Sequence, residues 1–169
     1  VKIAILGSNP RAEAIGRLLA DSGYHICFGD AEGLTPGTQC DMLIFAGPRE
    51  RVDDLLAQAG GISPETIVVD AMEGTLPGSE SGSELLARKL DTRRVVRAVI
   101  MAPQTGANIL CCGDDADATT TVEEVFRAAG CLTTNRGPLA NAAKIEAPPN
   151  ATGESSFETL RSANTVGSS

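Results

Sequence analysis

The chain has 169 residues, of which 42% are hydrophobic and 3% aromatic, a composition that excludes wholesale disorder and predicts an aliphatic, alanine-rich core. Asp and Glu number 22 against 14 Lys and Arg, a formal charge of −8. With no Lys/Arg run, this balance speaks against nucleic acid as a partner, because a phosphate-backbone binder needs a basic face.

The length fits one domain with a short tail, and a domain of that size buries roughly 70% of its unfolded surface without staples. No stretch approaches the roughly 20 apolar residues of a membrane span, and the opening VKIAILG predicts a strand rather than a secretory leader. The expectation is therefore no membrane partner. Cys27, Cys40, Cys111, Cys112 and Cys131 make an odd count without C-x-x-C spacing. That pattern predicts reduced, mostly core thiols in a cytoplasmic protein, with neither a disulfide framework nor a zinc site.

Taken in order, residues 2–6 predict a strand and 10–21 a helix, whose apolar positions Ala12, Ile15, Gly16, Leu19 and Ala20 form one stripe. Asn9 is placed to cap that helix, with Pro10 at its first position and Gly23 past its end. Strands are expected at 24–29 and 41–46, separated by a loop over 30–40 that carries Gly33, Pro36 and Gly37. Residues 48–59 predict a helix, 66–70 a strand, 81–90 a helix and 94–100 a strand. A short strand at 108–112, a helix at 116–129, an extended segment at 131–135 and a helix-like GPLANAAKIE complete the pattern. From 147 onward Pro, Asn, Gly, Ser and Thr dominate, which predicts a mostly disordered tail over 147–169 behind a compact domain over 1–146. Alternating strands and helices, with apolar-throughout runs such as KIAIL and MLIF, predict an α/β fold with a largely parallel sheet covered on both faces.

The first strand runs into Gly7-Ser8-Asn9-Pro10-Arg11-Ala12 and then a helix, the place where a dinucleotide-binding fold carries G-x-G-x-x-G. Gly7 suits the tight turn and Ala12 allows close helix packing. Asn9 puts a side chain where backbone would approach the pyrophosphate, and Pro10 removes one N–H from the anion nest. Arg11 either offers its guanidinium to a phosphate or extends along the surface. Asp30, about 20 residues beyond the glycine turn, is either the carboxylate that holds the adenosine ribose or a solvated turn residue. In the first role it repels a 2′-phosphate and favours NAD over NADP.

Across 1–146 the chain resembles the NADPH-dependent oxidoreductases that use the deazaflavin coenzyme F-420. The likeness is carried by KIAILGS, SGY, FGD, DMLIFAGP, IVVDA, SGSELLARKL, RVVRA, CCGDDADA and the closing GPLANAAKIE. It implies a three-layer αβα Rossmann-like fold, a nicotinamide dinucleotide across the strand ends, and hydride transfer to a second redox partner. It also makes a homodimer a reasonable expectation. By resemblance Gly7 and Ser8 belong to the phosphate loop, and Ala46, Gly47 and Pro48 border the nicotinamide ribose, with Gly47 where the family has Val. Asp30-Ala31 stands where the family's Ser-Arg holds a 2′-phosphate, Glu73-Gly74 where it has Asn-Pro, and Val99-Ile100-Met101 where it has Phe-Asn-Thr.

His25, the single histidine, has no second imidazole to work with and is expected to be structural. The acidic cluster Asp114, Asp115 and Asp117 is expected to complement a helix dipole rather than hold a metal. No side chain qualifies as general acid or base. Two readings are left: an NAD(P)-binding oxidoreductase domain with an unidentified hydride acceptor (a deazaflavin, a flavin or a metal), or a non-catalytic dinucleotide-binding or interaction module.

Overall fold

A computed structural model describes residues 1–29, 36–74 and 80–145. Asp30, Glu146 and the expected tail over 147–169 lie outside the described residues.

Seven strands form one sheet in the order β2-β1-β3-β4-β5-β6-β7. They are β1 (Lys2–Leu6), β2 (His25–Phe28), β3 (Met42–Pro48), β4 (Ile67–Glu73), β5 (Val95–Ile100), β6 (Asn108–Gly113) and β7 (Leu132–Asn135). Strands β1 to β5 are mutually parallel, β6 runs antiparallel to β5, and β7 is parallel to β6. The reversal follows from chain length: residues 101–107 are too few for the crossover of a dozen or more residues that a parallel neighbour needs.

Side chains alternate across each strand, so β1 sends Ile3 and Ile5 to one core and Ala4 and Leu6 to the other. The first core is closed by α1 (Pro10–Asp21) and α5 (Ala116–Ala128), through Ile15, Leu19, Val122 and Phe126. The second is closed by α3 (Val52–Ala59) and α4 (Gly82–Leu90), through Leu55 and Leu86, and by Leu139 and Ile145 near α6 (Ala142–Ile145). This is a three-layer α/β sandwich of the Rossmann type. Among the described residues, no helix is long and apolar enough to cross a membrane.

Four segments differ from the sequence reading. The segment expected as loop over 30–40 contains the one-turn helix α2 (Pro36–Gln39). Strand β3 runs on through Pro48, which stands opposite Glu73 at the very end of the ladder, where a missing N–H costs least. The following helix therefore starts later, through a 3-10 turn over Arg49–Arg51. Strand β4 continues past Asp70 to Glu73, because that carboxylate is fully buried inside the strand rather than marking its exit to solvent. The GPLANAAKIE segment is a 3-10 turn over Leu139–Asn141 leading into α6, rather than one helix.

Candidate functional site

Chain order reverses beside β1, which has β2 on one side and β3 on the other. In an open α/β sheet, ligands bind outside the carboxyl ends of the strands at this kind of switch point. Gly7 to Arg11 leave β1 there, and Ala46, Gly47 and Pro48 end β3 there. Eight of the residues singled out from the sequence thus lie at the carboxyl ends of β1 and β3, and four of them, Gly7, Ser8, Asn9 and Pro10, line one cleft.

Backbone geometry explains the two glycines. Gly7 has φ +132° and Gly47 φ +128°, both in territory that side-chain-bearing residues avoid. A Cβ on Gly7 would run into the Ala46 carbonyl, so β1 and β3 approach each other here as glycine alone permits. Asn9 fills the space in front of them. Its Oδ1 accepts from the Ala12 N–H at 3.0 Å, the expected helix cap, while its Nδ2 donates to the Ala46 carbonyl at 3.2 Å. A Cβ on Gly47 would lie 2.7 Å from that same Nδ2. The Asn9 side chain therefore occupies volume that Gly47 leaves open.

The consequence for anion binding is quantitative in donors. A helix start offers its first free N–H groups to a phosphate. Pro10 has none, the Ala12 N–H goes to the Asn9 side chain, and the Glu13 N–H bonds the Asn9 carbonyl at 3.2 Å. Beside this reduced nest lies a cleft of about 460 Å³, lined by Gly7, Ser8, Asn9, Pro10, Glu13 and Phe28. Phe28, at the end of β2, is one of the few exposed large apolar side chains among the described residues.

Arg11 runs the other way. Its side chain, 17% exposed, crosses the strand ends to donate to the Ile100 carbonyl at the end of β5 and to pair with Glu73 at the end of β4, 3.1 Å away. Glu73 is 58% exposed. Burial pushes the Arg11 guanidinium below its ordinary value, Glu73 pulls it back up, and the nearby Arg97 pushes it down again.

Beneath these strand ends lies a buried ionic cluster. Asp70 is fully buried; its Oδ2 accepts from Arg49 at 2.7 Å and from the Ser83 hydroxyl at 2.7 Å, and its Oδ1 accepts from the Met72 N–H at 3.0 Å. Arg97 donates to the Asp70 carbonyl at 2.6 Å and to the Met72 carbonyl at 2.9 Å. Burial alone would raise the Asp70 carboxyl, but Arg97, Arg49 and the hydrogen bonds from Arg49 and Ser83 hold it below the usual carboxylate value. The sequence reading gave Arg49 and Ser83 no part. A sequence signal was scarcely available, since an Arg in the first turn of the helix expected over 48–59 reads as surface.

The remaining candidates fall outside the crevice. Ile100 is fully buried, whereas Met101, just past the end of β5, is 48% exposed. His25 is exposed at the start of β2, its Nε2 3.5 Å from Cys27 Sγ. Asp115 caps α5 by accepting from the Ala118 N–H, and Asp114 accepts from the Leu139 N–H, so both carboxylates are committed to backbone. All five cysteines are free thiols; Cys111, Cys112 and Cys131 are buried, Cys27 and Cys40 half-buried.

The fold and the switch-point crevice define an α/β domain of the Rossmann class. No protein-family model matches the chain. It is 30% identical, over 177 aligned positions, to Metalloreductase STEAP3 of Rattus norvegicus, an alignment covering 88% of this chain and 36% of that protein. The chain thus spans about a third of the length of that curated relative. Among solved structures it is similar to a protein described as an F420-dependent NADP-reductase from Arthrobacter sp. FB24, with TM-score 0.66, 16% identity and coverage of 85% and 88% of the two chains. It is also similar to a reductive aminase from Aspergillus terreus solved with NADPH, with TM-score 0.66, 17% identity and coverage of 98% and 61%. A prephenate dehydrogenase from Aquifex aeolicus solved with NAD+ aligns with TM-score 0.61 at 13% identity, covering 81% and 60%. At these identities the structural likeness is one of fold.

Proposed function

We propose that this chain is a nicotinamide dinucleotide-binding domain of the oxidoreductase type, similar in kind to the F-420-dependent NADP reductases, with the hydride acceptor unidentified. The observation that carries the reading is the switch-point crevice itself. There, Gly7 at positive φ brings half-buried backbone to a cleft of about 460 Å³, within the usual range for a small-molecule site, with Gly47, buried and also at positive φ, behind Asn9. The metalloreductase likeness over 88% of the chain agrees with it, as do the nicotinamide cofactors in the structures of similar fold.

The residues present fit such a cofactor, with fewer phosphate donors than an unobstructed glycine turn would offer. Gly7, Ser8, Asn9 and Pro10 would hold the pyrophosphate turn, with Phe28 as an apolar wall of the cleft. Asp30 would read the ribose and select NAD. Ala46, Gly47 and Pro48 would border the nicotinamide half. When bound, the nicotinamide supplies the hydride; the chain's own share is orientation and exclusion of water. No residue is assigned as general acid or base.

The second reading, a non-catalytic dinucleotide-binding or interaction module, is favoured by one specific observation: the Asn9 carboxamide sits in the crevice and consumes the Ala12 N–H. Titration of NAD, NADH, NADP and NADPH with the melting temperature as readout tests both. A ligand at a hundred times its Kd adds about 2.7 kcal/mol of stability. A shift with NADH and little with NADPH is the expected result. No shift with any of the four at millimolar concentration ends the oxidoreductase reading, and a preference for NADPH ends the role given to Asp30. If NADH binds, its oxidation by flavin, deazaflavin and ferric acceptors identifies the acceptor class.

A further inference from the structure

Two departures from the family resemblance, Glu73 and Ile100, belong to one contact set in space, and the third member is Arg11. Its guanidinium bridges the carboxyl ends of β4 and β5, touching the Ile100 carbonyl and pairing with Glu73. If the adenosine half lies toward β2, as the dinucleotide reading places it, the β4–β5 side is where the nicotinamide half and an acceptor would meet.

The pair is unequal. Arg11 is largely buried and its Nε has no hydrogen-bond partner among the described residues, whereas Glu73 is 58% exposed. A half-exposed carboxylate is readily exchanged for another oxyanion, because exposed ion pairs contribute little. A buried guanidinium left with no anion is costly. The local charge points the same way: Arg11, Arg49 and Arg97 converge on the strand ends, against the carboxylates of Asp70 and Glu73. Asp70 is committed to Arg49 and Ser83 inside the sheet, so Glu73 is the exchangeable anion.

We propose that Arg11 is an oxyanion-binding residue of the β4–β5 side of the crevice, and that Glu73 is an internal competitor which an incoming oxyanion displaces. The ligand chemistry is a phosphate or carboxylate, presented by the pyrophosphate of the cofactor or by an anionic acceptor. The inference rests on the dinucleotide reading for placing a cofactor or an acceptor there. Binding needs no covalent step: one carboxylate leaves the guanidinium and another oxyanion takes its place.

The test is calorimetric titration of the full chain and its variants with inorganic pyrophosphate, with NADH, and with pyruvate as a small carboxylate in the presence of NADH. Glu73→Gln removes the competing charge at an exposed position and is expected to tighten at least one probe about two- to fivefold. Arg11→Gln in the same background must abolish that gain. Arg11→Lys keeps a point charge without the fork and must retain part of it, which covers the case in which Arg11→Gln fails to fold.

A gain confined to pyrophosphate and NADH identifies the cofactor as the source of the oxyanion. A gain confined to pyruvate identifies an acceptor carboxylate. No gain with any probe, or a gain that survives loss of Arg11, overturns the proposal. NADH binding that is indifferent to Glu73, with no gain for the other probes, leaves the dinucleotide reading standing and this one fallen. Pyrophosphate binding that tightens in Glu73→Gln, with no variant binding NADH, does the reverse.

Discussion

Asn9 and Gly47 share one volume: a Cβ on Gly47 would stand 2.7 Å from Asn9 Nδ2, and that Nδ2 already holds the Ala46 carbonyl at 3.2 Å. The Asn at position 9 of the turn and the Gly at position 47 are thus coupled in space. Gly47→Ala is expected to cost about 1–3 kcal/mol, from φ +128° strain plus the overlap. Asn9→Gly alone costs a few tenths, since Gly is tolerated at a cap. In the double variant the overlap disappears and the strain stays, so urea unfolding is expected to show a coupling of about 0.5–1 kcal/mol. Strict additivity would show that the two residues do not share this space.

The same side chain governs the phosphate nest. Asn9→Gly frees the Ala12 N–H, which now bonds Asn9 Oδ1 at 3.0 Å, and lets a ligand approach the backbone. NADH is expected to bind about three- to tenfold tighter to Asn9→Gly than to the parent chain, by one added charge-assisted hydrogen bond. Equal or weaker binding in calorimetry would mean that the carboxamide is a contact and not an obstacle.

Much of this architecture was legible in the chain. Apolar runs covered on both faces announced a parallel sheet, and Asn9-Pro10 announced the helix start that the structure places there. What stayed hidden is electrostatic and long-range. Asp70 reads as the end of a strand, because a carboxylate normally marks exit to water. It is buried because Arg49, 21 residues earlier, and Arg97, 27 residues later, reach it across the sheet. No local periodicity encodes such contacts. Arg11 reads from the sequence as a phosphate ligand or a surface residue, and its side chain reaches strand ends 62 and 89 positions away, a path set by the sheet order.

Thiol chemistry follows burial. Burial pushes Cys40 up to about 11 and Cys111 up to about 12, and it also raises Cys131. A thiol reacts as its thiolate, so none of these three reacts readily at neutral pH. A disulfide reagent at pH 7.5 is expected to modify Cys27 first in the native chain and the other four only after denaturation. Rapid native modification at Cys111 or Cys131 would contradict the burial described for them.

Asp70, held between Arg97 and Arg49, contributes to the acid limb of stability. Asp70 is held below its ordinary value in the folded chain, while in the unfolded chain it titrates near about 3.9. The stability that this group contributes is therefore present above about pH 4 and lost as pH falls through its lower folded value. Asp70→Asn keeps the shape and removes the charge, leaving Arg49 and Arg97 around a neutral group. Breaking a buried pair in this way typically costs about 3–5 kcal/mol, which at neutral pH is a large share of the stability of a small domain. Urea unfolding from pH 7 to 3 is expected to show that loss at pH 7, with the difference between parent and variant shrinking toward the acid end. A variant as stable as the parent at pH 7, or a difference that grows on acidification, would mean that the two arginines do not depend on this carboxylate.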